Sequence, residues 1–224
     1  MTGAAGDGGA AGLELVIVGC AGHGRELLDI VHAINEAAAG TAWRVRGFVD
    51  DTPTEVNLKR LQRLDVPYLG SLVTLGDLPT GTHVAVGIGD PRSRRRVARR
   101  VASHRLPAAT LVHPDATLGT DAEHGEGLVL FAGARVTTNV TFGHHVQLNQ
   151  NVTIGHDCVV RDHVSVNPLA AVSGDCHLDE GVLVGAGAVV LQGLRIGAEA
   201  TVGAGACVVR DVPAGTVVKG VPAR

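Results

Sequence analysis

Aromatic side chains are nearly absent from this 224-residue chain: one Trp, one Tyr and three Phe, 2 % in all. Thick globular cores depend on large rings to fill them, so a narrower interior is expected. Cysteine is scarce too, and its four residues show neither disulfide nor zinc spacing. Cys158 and Cys176 share one phase of a repeat and read as core residues stacked on adjacent coils. A reducing, cytoplasmic setting is the default for such a chain. No apolar run is long enough to cross a membrane. Residues 1–12, rich in Gly and Ala with Asp7 as their one charge, read as a flexible leader outside the fold. The net charge of -3 offers no attraction to nucleic acid or to a membrane surface, and neither partner is expected.

Glycine, at 31 residues, is what the chain has in quantity. From Val112 to Val208 an aliphatic or aromatic residue recurs at every sixth position, broken only at His124. The positions four further on, from Ala116 through Cys158 and Cys176 to Val212, are small or apolar as well. A period of six fits neither a helix nor a series of hairpins and is the mark of a hexapeptide β-helix. Gly, Asn, Asp or Ser commonly follows each repeat leader, as at Gly143, Asn149, Gly155, Asn167, Asp179 and Gly203. These positions read as the corners of the coil.

Residues 13–107 follow another pattern. Leu13–Val18 reads as a strand, Gly19-Cys20-Ala21-Gly22-His23-Gly24 as a turn, and Arg25–Ala38 as a helix with Leu27, Ile30, Val31 and Ile34 on one face. A strand at Arg44–Val49 ends in Asp50-Asp51, and another at Val84–Val86 runs into Gly87. This is the layout of a small Rossmann-like α/β unit. The glycine turn has three readings: a cradle for a nucleotide phosphate at a helix N-terminus, a purely structural turn, or a redox-cofactor site. A redox enzyme would need a catalytic half that the β-helix replaces. Between Pro91 and Pro107 the cluster Arg92, Arg94, Arg95, Arg96, Arg99 and Arg100 reads as the solvated face of an amphipathic helix, a phosphate-contacting arginine being the alternative. The expected domains are therefore 13–107, Rossmann-like, and 108–224, a β-helix.

Histidines collect on the repeat, at 113, 124, 144, 145, 156, 163 and 177. Only His124 has an inward phase; the others are expected to face outward. His156 stands out because Asp157 follows it at a corner, and a carboxylate beside an imidazole raises its basicity and can fix its tautomer. Three-histidine zinc sites shared between subunits also occur on such solenoids, as in γ-class carbonic anhydrases. No clear ligand set emerges here from His144, His145, His156 and His163, and no metal is expected.

Taken in order, Val18-Gly19-Cys20-Ala21-Gly22-His23-Gly24, Phe48-Val49-Asp50-Asp51, Val84-Ala85-Val86-Gly87, Ile154-Gly155-His156-Asp157-Cys158 and Val218-Lys219-Gly220-Val221-Pro222-Ala223 resemble the sialic acid O-acetyltransferase and bacillosamine-type amino-sugar N-acetyltransferase family. The resemblance implies a left-handed β-helix, a homotrimer, and acetyl-CoA in the cleft between neighbouring solenoids. It implies an NDP-sugar held by Ala21, Gly22, His23, Asp50, Asp51 and Gly87. His156 matches the general base and Asp157 its acid partner. Gly174 falls where a backbone N–H meets the acetyl carbonyl, and Ala186 and Ala204 fall along the pantetheine arm. The family's second histidine, a cofactor contact nine residues after the base, is Ser165 here. With no serine or cysteine nucleophile beside His156, direct transfer in a ternary complex is expected. The acceptor is expected to be an amine on a nucleotide-linked sugar. O-acetylation of sialic acid or another surface sugar, and a non-catalytic sugar-nucleotide-binding trimer, are the alternatives.

Overall fold

The computed structural model describes residues 12–38 and 41–224. The expected leader therefore lies outside the described residues, apart from Gly12. The N-terminal unit is a four-stranded parallel sheet in the order β3-β2-β1-β4, where β1 is Leu13–Val18, β2 Trp43–Val49, β3 Tyr68–Gly70 and β4 His83–Val86. Helix α1 (Gly22–Ala37) covers one face with Leu27, Leu28, Ile30 and Val31, while α3 (Pro91–Ala102) and a 3₁₀ turn at Leu72–Asp77 cover the other. Burial on both faces explains why β1 reads as a near-continuous apolar run. Asp90 caps α3 by accepting from the Ser93 N–H at 2.8 Å, Pro91 opens its first turn, and Arg99 and Arg100 close its last. Helix α2 (Glu55–Arg63) buries only Leu61, so it has no apolar stripe to announce it.

The glycine turn is shorter than expected, because Gly22, His23 and Gly24 already form the first turn of α1. Gly24 packs under the end of β1: a Cβ there would collide with the Gly19 carbonyl oxygen, and one at Gly87 would collide with the Gly24 Cα. These glycines let α1 and the ends of β1 and β4 meet at backbone distance.

From Leu111 the chain winds into a left-handed β-helix of two-residue strands stacked in three parallel sheets. Residue i pairs with the residue one full coil, three hexapeptides, further on: Leu111 with Val129, Gln147 with Ser165, Thr153 with Ala171. The three faces are called I (Leu111, Val129, Gln147, Ser165), II (Thr117, Arg135, Thr153, Ala171) and III (Glu123, Thr141, Val159, His177) after their outward residues. The repeat leaders form the core with the positions four further on. Buried Val, Leu and Ile side chains contribute about 1.5–3 kcal/mol each, and Phe142 is the only ring among them.

Two expectations about the solenoid change. Left-handed backbone occurs three residues after the leader, at Asp121, Asn139, Asp157 and Asp175, and not directly after it. Glycines directly after the leader are small for another reason: a Cβ on Gly155 would strike the backbone of Gly174 on the next coil. His124 has the inward phase, yet it lies exposed because its strand is the edge of face III with no coil beneath.

The N-terminal unit packs on face I. Leu111, Val129, Gln147 and Ser165 are all buried there, and α1 forms one apolar cluster with Leu111, Val129 and Phe131. The link at Pro107–Ala109 runs along β4: the Val84 N–H donates to Pro107 O and the Ala109 N–H to Val84 O, both at 2.9 Å. The arginine helix is not wholly solvated. Arg94 is 0 % exposed and has left the basic face for the joint between the domains. Its guanidinium donates to the carbonyls of Ile88 (2.9 Å), Gly89 (3.0 Å), His145 (3.0 Å), His163 (2.8 Å) and Val164 (3.1 Å). It also donates to Gln147 Oε1 at 3.0 Å and Ser165 Oγ at 2.8 Å. Desolvation lowers its pKa to about 9, which leaves it charged near neutral pH.

Candidate active site

His156 stands at the corner between faces II and III, between the strands Thr153–Ile154 and Val159–Val160. Asp157 adopts the left-handed conformation (φ 61°), and its Oδ2 lies 2.6 Å from His156 Nδ1. The carboxylate is braced from the coil below by Asn139 Nδ2, 2.6 Å from Oδ1. The Asn139 hydrogen bond first, and the one to His156 second, hold the Asp157 carboxyl below the ordinary carboxylate range. It is therefore ionised near neutral pH and favours a proton on Nδ1, leaving Nε2 as the free basic atom. Both side chains are about half exposed.

Gly174 is one coil above His156 on the same corner. A Cβ at Gly174 would lie 2.6 Å from His156 Cε1 and Nε2, so the imidazole lies against the glycine Cα. The Gly174 N–H has no acceptor among the described residues. A basic nitrogen and an unused backbone donor side by side can serve an addition to a carbonyl, one taking a proton and the other stabilising an oxyanion.

The other expected site residues divide into three groups. Ala21, His23, Asp50, Asp51 and Gly87 line one cleft of about 350 Å³ at the C-terminal ends of β1, β2 and β4, together with Thr52, Ile88, Gly89 and Val97. Such a crevice is where open parallel sheets bind ligands. Gly22 is exposed and does not line it. The two acids brace the walls: Asp50 accepts from the N–H groups of Cys20 (2.8 Å) and Thr52 (2.9 Å). Asp51 accepts from the Leu72 N–H at 3.0 Å and pairs with Arg100, and both interactions lower its pKa. His23 reaches Gln147 Oε1 of the β-helix at 2.8 Å and packs on Phe131. Burial lowers its pKa.

Ala186 and Ala204 sit at another corner, between faces I and II, so one chain does not bring them to His156. Ser165 is 0 % exposed, and its hydroxyl is used inside the domain joint, donating to Gly89 O at 2.7 Å and accepting from Arg94. It is not open to a cofactor as expected from its position. His145 and His163 stand at a corner outside the solenoid core, as expected, but are covered where the N-terminal unit packs. They stack with ring centroids 5.3 Å apart beneath the N-terminal unit, and His163 Nδ1 is buried without a partner. Desolvation, reinforced by Arg94, lowers both pKa values to about 4. Cys158 and Cys176 are buried and stacked as expected, with their sulfurs directed to the carbonyls of Ser173 and Leu191 at 3.2 Å.

Sequence reasoning missed Asn139 and Arg94. Asn139 lies one full coil before Asp157, so the repeat itself carried its signal. Arg94 offered none, because its partners on the β-helix are 51 to 71 residues distant in sequence.

Residues 14–101 match the PglD N-terminal domain family. The acetyltransferase domain of PglB from Neisseria gonorrhoeae, solved with acetyl coenzyme A, is 30 % identical with a TM-score of 0.81, over 96 % of this chain and 99 % of that one. PerB from Caulobacter crescentus, solved with CoA and GDP-perosamine, is 29 % identical with a TM-score of 0.83, over 96 % and 97 %. A GDP-perosamine N-acetyltransferase of Escherichia coli O157:H7 is 28 % identical over 152 residues, 65 % of this chain; the match spans 63 % of that protein's length. With a glycine-edged cleft on a short parallel sheet and a His–Asp pair on a corner of the β-helix, the chain belongs to the NDP-amino-sugar acetyltransferase family.

Proposed function

We propose that the protein transfers the acetyl group of acetyl-CoA to the amine of a nucleotide-linked amino sugar, directly and without an acyl-enzyme. The His156–Asp157 pair, with Nε2 held against Gly174, is the observation that carries this reading. The neutral amine attacks the thioester carbonyl while His156 Nε2 takes its proton, and the Gly174 N–H stabilises the oxyanion. The carbon–sulfur bond then breaks, and the CoA thiolate leaves and is protonated. General-base assistance of this kind contributes about 10²–10⁴ in rate.

The nucleotide occupies the cleft lined by Ala21, His23, Asp50, Asp51 and Gly87, with the N–H groups at the start of α1 beside its phosphates. Because Asp50 and Asp51 are engaged in bracing that cleft, backbone and apolar surface make most of the contact there. Ala186 and Ala204 line the pantetheine arm on a different corner from His156. The two corners meet only when solenoids pack side by side, which supports a homotrimer with acetyl-CoA between copies.

Thiol release with acetyl-CoA fixed, across a panel of UDP-, GDP- and dTDP-linked amino sugars and free sugars, tests the reading. Product one acetyl group heavier and bearing an N-acetyl signal by NMR is expected from a nucleotide-linked amine. Turnover confined to hydroxyl acceptors, or no thiol release with any amine, would reject it.

A further inference from the structure

We propose that Asn139 is a positioning residue of the transfer site: its carboxamide, one coil below, fixes the Asp157 carboxylate so that Asp157 in turn fixes the His156 imidazole. The inference rests on the proposed function for its chemistry, but its geometry stands independently. Asn139 Nδ2 holds Asp157 Oδ1 and His156 Nδ1 holds Oδ2, each at 2.6 Å, so each carboxylate oxygen has one partner. The pair is about half exposed, and a carboxylate in water with a single partner rotates and exchanges that partner readily. With Oδ1 tied to the coil below, rotation breaks two hydrogen bonds, and Oδ2 stays on the imidazole.

The corner column shows why an amide belongs at this place. Asp121, Asn139, Asp157, Asp175 and Gly193 stack one coil apart, all with left-handed backbone. The column is otherwise acids or glycine, and the neutral donor stands directly beneath the acid that holds His156. The Asn139 backbone is itself anchored, its N–H donating to Thr120 O at 3.0 Å. Asp157 faces Asn139 and His156, with Asp175 on the coil above and the buried thiols of Cys158 and Cys176 behind. A second carboxylate at 139 would oppose the first at hydrogen-bond distance, a contact that raises the pKa of one of them.

Two substitutions keep the backbone conformation, since glycine and aspartate already occupy this column. Asn139→Gly removes the brace, and Asn139→Asp turns a donor into a like charge. With the full-length protein, kcat, both KM values, the pH dependence of kcat/KM, and the ¹⁵N resonances of His156 are measured beside His156→Ala. For Asn139→Gly we expect kcat to fall about tenfold, a part of the about 10²–10⁴ due to the base, with both KM values within about twofold. Its neutral imidazole should lose its bias toward the Nδ1–H tautomer. For Asn139→Asp the acid limb of kcat/KM should move to higher pH. Wild-type kcat with an unchanged tautomer in Asn139→Gly would overturn the proposal. If His156→Ala turns over normally, the base assignment fails instead. The ¹⁵N measurement, which needs no turnover, then decides on Asn139 alone: an unchanged tautomer overturns its role and a changed one supports it.

Discussion

Replacing Arg94 by Met should loosen the joint between the two domains more than any other single substitution at that contact. The guanidinium is fully buried, has no carboxylate hydrogen-bonded to it, and is held by carbonyls and two neutral side chains. Without it, Gly89 O keeps the Ser165 hydroxyl and Val164 O keeps the Gln147 N–H, but the carbonyls of Ile88, His145 and His163 lose their donor. Three orphaned carbonyls at about 1–3 kcal/mol each, offset by relief from burying an uncompensated charge, give a net loss of about 3–5 kcal/mol. That is a large share of the stability of an ordinary domain. The single Trp43 lies in β2 against His83, so its fluorescence reports the N-terminal unit, while hydrogen exchange of the coil-to-coil amides reports the solenoid. In a urea titration the Trp43 transition of Arg94→Met should shift to distinctly lower denaturant, with the solenoid transition shifted less. Because Ile88 and Gly89 line the cleft, KM for the sugar nucleotide should rise with little change in KM for acetyl-CoA. A Trp43 transition indistinguishable from wild type would refute the reasoning.

Other outcomes follow from the same geometry. Desolvation holds His145 and His163 neutral, with pKa values near 4 against an ordinary 6.5. The unfolded chain therefore takes up protons first as pH falls, and stability should drop between about pH 6.5 and 4; His163→Asn should flatten that slope in pH-dependent urea unfolding. Gly174→Ala places a methyl on the His156 ring, which can swing into solvent. Its kcat should fall at least about tenfold with an unchanged melting temperature, and a loss of stability in step with activity would contradict this. Gly24→Ala forces a methyl into the Gly19 carbonyl and should cost about 1–3 kcal/mol, read as a lower midpoint of the Trp43 transition.

The six-residue period was enough to assign the inward positions, the stacking of Cys158 on Cys176, and the corner that carries His156 and Asp157, because a solenoid repeats one local rule. Its turn chemistry was misjudged by two residues. Small residues after the leader satisfy close approach between coils, while the left-handed turn falls at Asp157 and its column. The four apolar residues of α1 and the runs of β1, β2 and β4 were legible because both faces of the sheet are covered. Helix α2 was not, since its sequence buries one leucine. Contacts between the domains were invisible for a different reason: a buried arginine and a buried histidine look like surface residues until their distant partners are known. Ser165 is the clearest example, expected at a cofactor and found bonded to Gly89.

The most direct test of acetyl transfer through His156 is kcat of His156→Ala under saturating acetyl-CoA and the best nucleotide-linked amino sugar. A fall of about 10²–10⁴, with KM for acetyl-CoA little changed, is what the account predicts. Turnover close to wild type, with the same N-acetylated product, would contradict it.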